Sequence, residues 1–334
     1  MPGPTIGTPS DLKVYDEFYQ SGLYEGIAQK TAGFNEASGG CIRLVTKRHI
    51  GDFTKEAFFQ DVENLIHYRD PSDLSAATDI PLTQGELATV KVPRGVGPVA
   101  QTFESWQRIG KTNEELSFQL GKMVAAHKAK DYINTAIMVI VAGLNKIGSS
   151  VTYDATGMGA GTITHTHLVS AMAKLGDFSQ EIRCFVMHSK QYFDLMKQSI
   201  ADKIFEVAGV TIYQGTIATF GKPVVVLDSP SLFASGGSTA SVSDDTYNVL
   251  MLKDMSCVVE ESQTDFLVGQ VITGLGNLAW RIQGEYAFNI GLKGMAWVLA
   301  SGANPEDTDL ATSNNWSLKM SSYKNGPGVL LKVK

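Results

Sequence analysis

Four groups of residues in this 334-residue chain carry types and spacings that could do chemistry. His165 and His167 form an H-x-H pair close to Gly157, Gly159 and Gly161. Two imidazoles at this spacing could ligate a metal. A structural or catalytic site needs at least a third ligand, and neither a cysteine nor a carboxylate stands at a recognisable ligand spacing. The pair reads instead as loop histidines near a helix start. Gly157 to Gly161 (GMGAG) lacks the closing Gly-Lys-Ser/Thr of a phosphate loop and is not G-x-G-x-x-G. It reads as a hinge. His188-Ser189 at a strand end could suggest an activated nucleophile, but G-x-S-x-G is missing. Ser189 reads as a helix N-cap. Cys41, Cys184 and Cys257 are far apart and odd in number, with no C-x-x-C pair. They fit buried free thiols in a reducing compartment. These residues predict no catalytic centre, no metal and no cofactor.

The elements that would position them are more informative. Apolar residues make up 43% of the chain and charged residues 19%, so it is an ordered globular protein. Its net charge of -6 excludes a basic reader of nucleic-acid sequence. The start, MPGPTIGTPSDLK, has no basic and apolar segments of a secretory signal. The longest apolar run, Ala136 to Leu144, is too short for a bilayer, so no membrane partner is expected.

Residues 1–50 are rich in Gly, Ser, Thr and Pro, with an amphipathic piece around Leu12 to Tyr24. They predict an arm that lies on a neighbour. The spacing of Phe58, Val62 and Ile66 predicts a short helix over Phe53 to Tyr68. Gln84 to Val92 and Val99 to Trp106 flank a Gly/Pro cluster and predict a protruding hairpin with its tip at residues 93–98. Thr112 to Glu115 is a capping box that opens a helix running to Ile147. Its first half should bury Leu116, Leu120, Met123 and His127, and its second half, Tyr132 to Leu144, should be buried on several sides. A mixed α/β pattern follows. Helices are predicted over Thr164 to Leu175, stopped by Gly176, and from Ser189 through Met196. Strands are predicted at Ile182 to Met187, Val210 to Tyr213, Lys222 to Leu227, Tyr247 to Leu252, Cys257 to Glu260 and Leu278 to Ile290, with a loop at Ser235 to Asp245.

The run GLKGMAWVLASGANPEDTDLATSNNW (Gly291 to Trp316) reads as a strand over Met295 to Ala300, a Gly-Ala-Asn-Pro turn and a capped polar segment. It resembles the closing segment of major capsid proteins of tailed double-stranded DNA phages with the Hong Kong 97 type of fold. KLGD (Lys174 to Asp177), VMHSKQYFDLMKQ (Val186 to Gln198) and FGKPVVVLDSP (Phe220 to Pro230) are similar to phrases of the same coat proteins, most like those of short-tailed phages of the epsilon-fifteen type. The order of elements matches as well.

The resemblance implies an α+β fold of Hong Kong 97 type. Its parts are an N-terminal arm (1–50), an E-loop region (51–110), a spine helix in a peripheral domain (111–150), an axial domain (151–277) and return strands (278–334). It implies a structural role: hexamers and pentamers of this chain closing an icosahedral shell around double-stranded DNA, held without sequence-specific binding. Partners would include a portal and separate scaffolding or decoration proteins, and the place would be the virion capsid, assembled in the bacterial cytoplasm. No long charged helical segment precedes the arm, so scaffolding is expected from another protein or the chain is mature. Some relatives cross-link neighbouring subunits through an E-loop lysine and an asparagine. Lys91 lies in that region, with Asn289 or Asn304 as conceivable partners, but no local signature supports a cross-link. Lys91 and Arg94 have no clear partner nearby in sequence and are the expected inter-subunit contacts. The rival readings are an encapsulin-like cellular nanocompartment shell and a soluble α/β enzyme.

Overall fold

The structure is a computed structural model that describes residues 34–36, 38–47, 51–60, 66, 68, 71–72, 79–109, 113–158, 161–206, 220–236, 245–261, 266–273 and 276–334. Most of the expected arm, the cap residue Thr112 and the expected strand Val210 to Tyr213 lie outside the described residues.

Strands β1 (Ile42–Thr46), β2 (Phe53–Phe59) and β3 (Gln84–Thr102) lead into helices α1 (Phe103–Ile109) and α2 (Asn113–Ile147). There follow β4 (Thr152–Asp154), α3 (His165–Met172), β5 (Ile182–Met187), α4 (Ser189–Glu206), β6 (Val224–Val226), β7 (Phe233–Ala234), β8 (Thr246–Lys253), β9 (Cys257–Glu261), β10 (Phe266–Ile272) and β11 (Ala279–Leu292). The chain closes with β12 (Met295–Trp297), α5 (Asp307–Ala311), β13 (Trp316–Leu318) and β14 (Gly328–Val333).

The strands form two sheets. The first has eight strands, in the order β1-β9-β11-β12-β13, with β3 and β10 also on β11 and β2 on β3. The second has six, in the order β4-β14-β8-β5-β6, with β7 on β8. Strands β9 and β10 thus join the first sheet and the last strand returns to the second, across the boundary expected near residue 277.

Helix α2 links the sheets. Its second half is apolar nearly all round. Ala136, Ile137, Val139, Ile140 and Leu144 share one core with Val90, Phe288 and Ile290 of the first sheet and Val186, Leu250 and Leu330 of the second. The stretch 118–150 is long and apolar enough to cross a bilayer by composition, but both sheets cover its second half. Gly148, at φ 80°, ends the helix in a backbone conformation that favours glycine. The first half departs from expectation. Met123 and His127 are exposed, while Ala125, Lys128, Ala129 and Tyr132 form the buried stripe. That stripe has the i, i+3, i+4, i+7 spacing of a helix face. The small Ala125 lets Trp280 and Ile282 of β11 pack close.

Two expected elements fold differently. Residues 53–59 are a strand, not the start of a helix, because they pair antiparallel with Gln84–Val90 of β3. That pairing outweighs the weak local helical spacing. The Gly/Pro cluster at 93–98 is not a hairpin tip: β3 runs straight through it, antiparallel to β11 from Val90 to Thr102. Lys91 N–H donates to Asp52 O (3.0 Å), away from β11. With a period of two, Pro93 points its missing N–H the same way and leaves the β11 ladder intact. Gly97 and Pro98 together face Gln283 alone, a β-bulge with Gly97 at φ 80°.

The closing segment is a compact clasp. The Trp297 and Trp316 rings meet edge to face at 5.2 Å. Their indole N–H groups donate to Gly302 O and Leu310 O, both at 3.1 Å. Glu306 and Asp309 form a capping box on α5. The strand at its start stops at Trp297, short of the expected Ala300, and residues 299–301 make a 3-10 turn.

Candidate assembly surface

Each chemical candidate has a structural partner. Thr164 caps α3 by accepting from His167 N–H (3.2 Å). This places His165 and His167 in the first helical turn, and the His167 ring lies 6.3 Å from Tyr153. Among the described residues no three His, Cys, Asp or Glu side chains converge as a metal site would require. At the start of α4 it is His188, not Ser189, that caps: Lys190 N–H donates to His188 Nδ1 (3.2 Å). Ser189 is the first helical residue, and its backbone N–H donates to Asp228 Oδ1 (3.1 Å). The helix runs on to Glu206, ten residues past the expected end. The hydrogen bond from the Ser189 side chain, with its backbone bond, holds the Asp228 carboxyl below its usual range. His188 Nε2 lies 3.4 Å from the same carboxylate. Serine and histidine both address Asp228, so the imidazole does not activate the hydroxyl. The GMGAG segment is described in part, and Gly161 takes φ 69° where its carbonyl accepts from Lys334 N–H (2.7 Å).

A polar network forms where the Arg94 side chain of β3 reaches α2 and α5. Arg94 Nε donates to Asp131 Oδ2 (3.2 Å), and its terminal nitrogen to Asp307 Oδ1 (2.5 Å) and Thr135 Oγ1 (3.2 Å). Tyr286 OH also donates to Asp131 Oδ2 (2.8 Å). Burial works against the Arg94 charge, but the hydrogen bond to Asp307 and the nearby Asp131 and Asp307 charges outweigh it and raise its pKa above the ordinary value. One turn earlier, buried Lys128 pairs with Glu261 and sits over the rings of Tyr286 (4.9 Å) and Tyr132 (5.6 Å). These contacts tie β3, α2, β9, β11 and α5 into one junction. Arg94, which has no clear partner nearby in sequence, is therefore engaged by residues of its own chain far from it in sequence.

Lys91 has a different setting. It faces away from the core and lines an open polar depression of about 460 Å³ with Asp52, Gly95, Glu285 and Asn304. Asn289 stands opposite Lys91 across the strands, buried, with its amide donating to Thr54 Oγ1 (3.4 Å).

Sequence reasoning missed the partners of Arg94 and the burial of Lys128. Asp131, Thr135 and Asp307 stand 37, 41 and 213 residues from Arg94, so no local pattern links them. Lys128 was readable: it sits within the stripe that Ala125 and Tyr132 define. Also missed was an apolar groove at the far end of β3, between Val99, Leu120, Met123, Trp280 and Ile282.

A family model described as "Gp13-like: Major capsid protein 13-like" matches residues 11–330, nearly the whole chain. No curated protein matches it. Among solved structures it is similar to one from Microbacterium phage Oxtober96, at 8% identity over 88% of this chain and 90% of that one, with a TM-score of 0.53. It is also similar to the capsid of Ralstonia phage GP4, at 12% identity over 89% and 87% of the two chains, with a TM-score of 0.51. At such identities the likeness is one of fold. The fold is the α+β Hong Kong 97 type of capsid subunit, with two sheets sharing a long helix.

Proposed function

We propose that this chain, which belongs to the Gp13-like family of major capsid proteins and is a structural virion protein rather than an enzyme, closes its shell as hexamers and pentamers around double-stranded DNA. A portal and separate scaffolding or decoration proteins would complete the particle, assembled in the bacterial cytoplasm. The net charge of -6 supports a wall that does not grip the genome.

The observation that carries this reading is the β2–β3 ribbon. Residues Gln84–Thr89 hydrogen-bond in register to β2 alone among the described strands. A two-stranded ribbon is marginal by itself; its end is tied to its own subunit where Gln60 Nε2 donates to Lys319 O (3.1 Å), and we infer that its exposed faces rest on a neighbour. Lys91, which lines the open depression beside that ribbon, is the inter-subunit contact this reading assigns. Arg94 anchors the same strand from within. One exposed ion pair is worth about 0–1 kcal/mol, but the same contact recurs at every subunit and adds through multivalency.

Electron microscopy of the purified protein tests the reading. Closed shells that protect double-stranded DNA from nuclease are expected. A small oligomer on a sizing column, or shells filled with enzyme in place of nucleic acid, would overturn it. Lys91→Glu is expected to leave the unassembled subunit's circular dichroism unchanged while lowering shell yield in sedimentation. Unchanged yield would remove Lys91 from the contact.

A further inference from the structure

Two of the three cysteines, far apart in sequence, lie together in the fold. Cys41 ends a turn: its N–H donates to Ser38 O (3.2 Å) and its carbonyl accepts from Cys257 N–H (3.3 Å). Its thiol donates to Leu252 O (3.7 Å). Leu252 of β8 is the residue that faces Cys184 of β5. The Cys41 and Cys184 thiols are hydrogen-bonded to each other, and both are fully buried in the core that the two sheets share. Cys257 stands opposite Ile42, one residue further along. Among the described residues no three His, Cys, Asp or Glu side chains converge. Two sulfurs alone do not make a zinc site, which takes four ligands. Two adjacent thiols can be joined.

The pair is buried but shallow. Gly39, Arg183 and Pro223 beside it are exposed, and a Cβ at Gly39 would lie 3.8 Å from Pro223 Cγ. Lys222 donates to Ile182 O, two residues before Cys184, and its ammonium interacts with the Cys41 sulfur. A cation beside a sulfur favours the anion that attacks an oxidant. The hydrogen bond with Cys41, together with burial, holds the Cys184 thiol well above its ordinary pKa, so it keeps its proton. Attack therefore falls to Cys41, and Cys184 resolves.

The fate of a virion protein makes this pairing matter. Inside a cell thiols stay reduced, while disulfides persist at virion surfaces. We propose that Cys41 and Cys184 are a modification site, a latent disulfide closed by hydrogen peroxide once the virion leaves a reducing compartment. The Cys41 sulfur attacks the peroxide; its O–O bond breaks, leaving a Cys41 sulfenic acid and water. The Cys184 sulfur then attacks the Cys41 sulfur. The S–O bond breaks, and the leaving hydroxyl takes the Cys184 proton as a second water. Each sulfur gives up one electron, and the peroxide takes both. Residue 41 leads into β1 of the first sheet and Cys184 lies in β5 of the second. The bond would join the sheets covalently and close a loop that holds β2, β3 and α2, which constrains the unfolded chain.

Peroxide treatment of the purified wild-type chain at pH 8 decides it, on the unassembled subunit and on particles. The bond lies within one chain, so the subunit gives an answer whether or not shells form. After denaturation and alkylation, two of the three thiols should be lost, with a mass lower by two hydrogens. A digest should yield one peptide pair joining Cys41 to Cys184, with Cys257 alkylated. The thermal midpoint of the linked subunit should rise by about 5 °C and fall back when a reductant opens the bond. Cys184→Ala should stop at the Cys41 sulfenic acid, which dimedone traps. Where that variant does not fold, the wild-type mass still decides. Three free thiols after peroxide, a link through Cys257, or Cys41 driven to sulfinic acid beside a free Cys184 would each overturn the site. A linked subunit with an unmoved midpoint would reject its role in joining the sheets.

Discussion

Removing the Arg94 guanidinium leaves Asp131 and Asp307 without their shared counter-charge. Breaking a fully buried pair typically costs about 3–5 kcal/mol. Arg94 is largely buried, but Asp307 is mostly open to water, so solvent takes back part of that loss. Arg94→Ala is expected to destabilise the isolated subunit by about 2 kcal/mol. A shift of the urea midpoint with unchanged slope would show it. An unchanged midpoint would mean that the junction is held by other contacts. Lys91, three residues earlier, should not behave this way, because its side chain lies on the far face of the strand. Two cations that look equivalent in sequence thus separate into one that holds the strand to its own helix and one whose side chain faces an open depression on the other face. Alternation along a strand already puts positions 91 and 94 on opposite faces. The missing knowledge was that residues 93–98 are mid-strand and not a tip.

Among the elements, the long helix was legible because two signals agreed over 35 residues, its cap and its apolar spacing. The face buried by its first half was not, because tertiary packing chose small residues and a neutralised lysine over larger apolar ones. Strand β3 was misread for a related reason. Gly and Pro mark turns in an isolated sequence, but in a ladder they also mark a bulge and a free N–H direction. Strand β14 was missed altogether. Its residues Gly328 to Leu331 are all buried, so it offers no alternation, and it is short. It nevertheless lies inside the second sheet, between β4 and β8. Its first residue must be glycine: a Cβ there would fall 2.1 Å from Met251 O and 3.1 Å from Leu252 Cα, both backbone atoms that cannot swing aside. Gly328→Ala should therefore push β14 off β8 and cost about 3 kcal/mol. The measurement is the thermal midpoint of the unassembled subunit. A midpoint within a degree or two of wild type would show that the strand relaxes freely.

At the scale of the whole molecule, the two sheets are not independent bodies. The second half of α2 belongs to both, through a core in which Ile137 and Ile140 sit with Phe288 of the first sheet and Leu330 of the second. The buried half of the helix makes the subunit cooperative, while its first half carries exposed Met123 and His127. This division follows from one apolar pattern that broadens along the helix, and it was readable from residues 132–144 before any contact was known. It gives a prediction that separates folding from assembly. Ile137 is fully buried. Ile137→Asp places a carboxylate among apolar side chains with no cation of the described core beside it. Such a group stays charged at several kcal/mol or takes up a proton at comparable cost. A typical domain has about 5–15 kcal/mol in total, so the variant should lose most of its folded population. Because both sheets share the residue's surroundings, both should be lost together, in a single transition. Circular dichroism and tryptophan fluorescence, which reports on Trp106 of α1, on Trp280 beside the first half and on Trp297 and Trp316 in the clasp, should therefore change at one urea concentration. Normal soluble yield and normal shells from Ile137→Asp would contradict the shared core. Two separated transitions would show that the helix belongs to one sheet and only rests on the other.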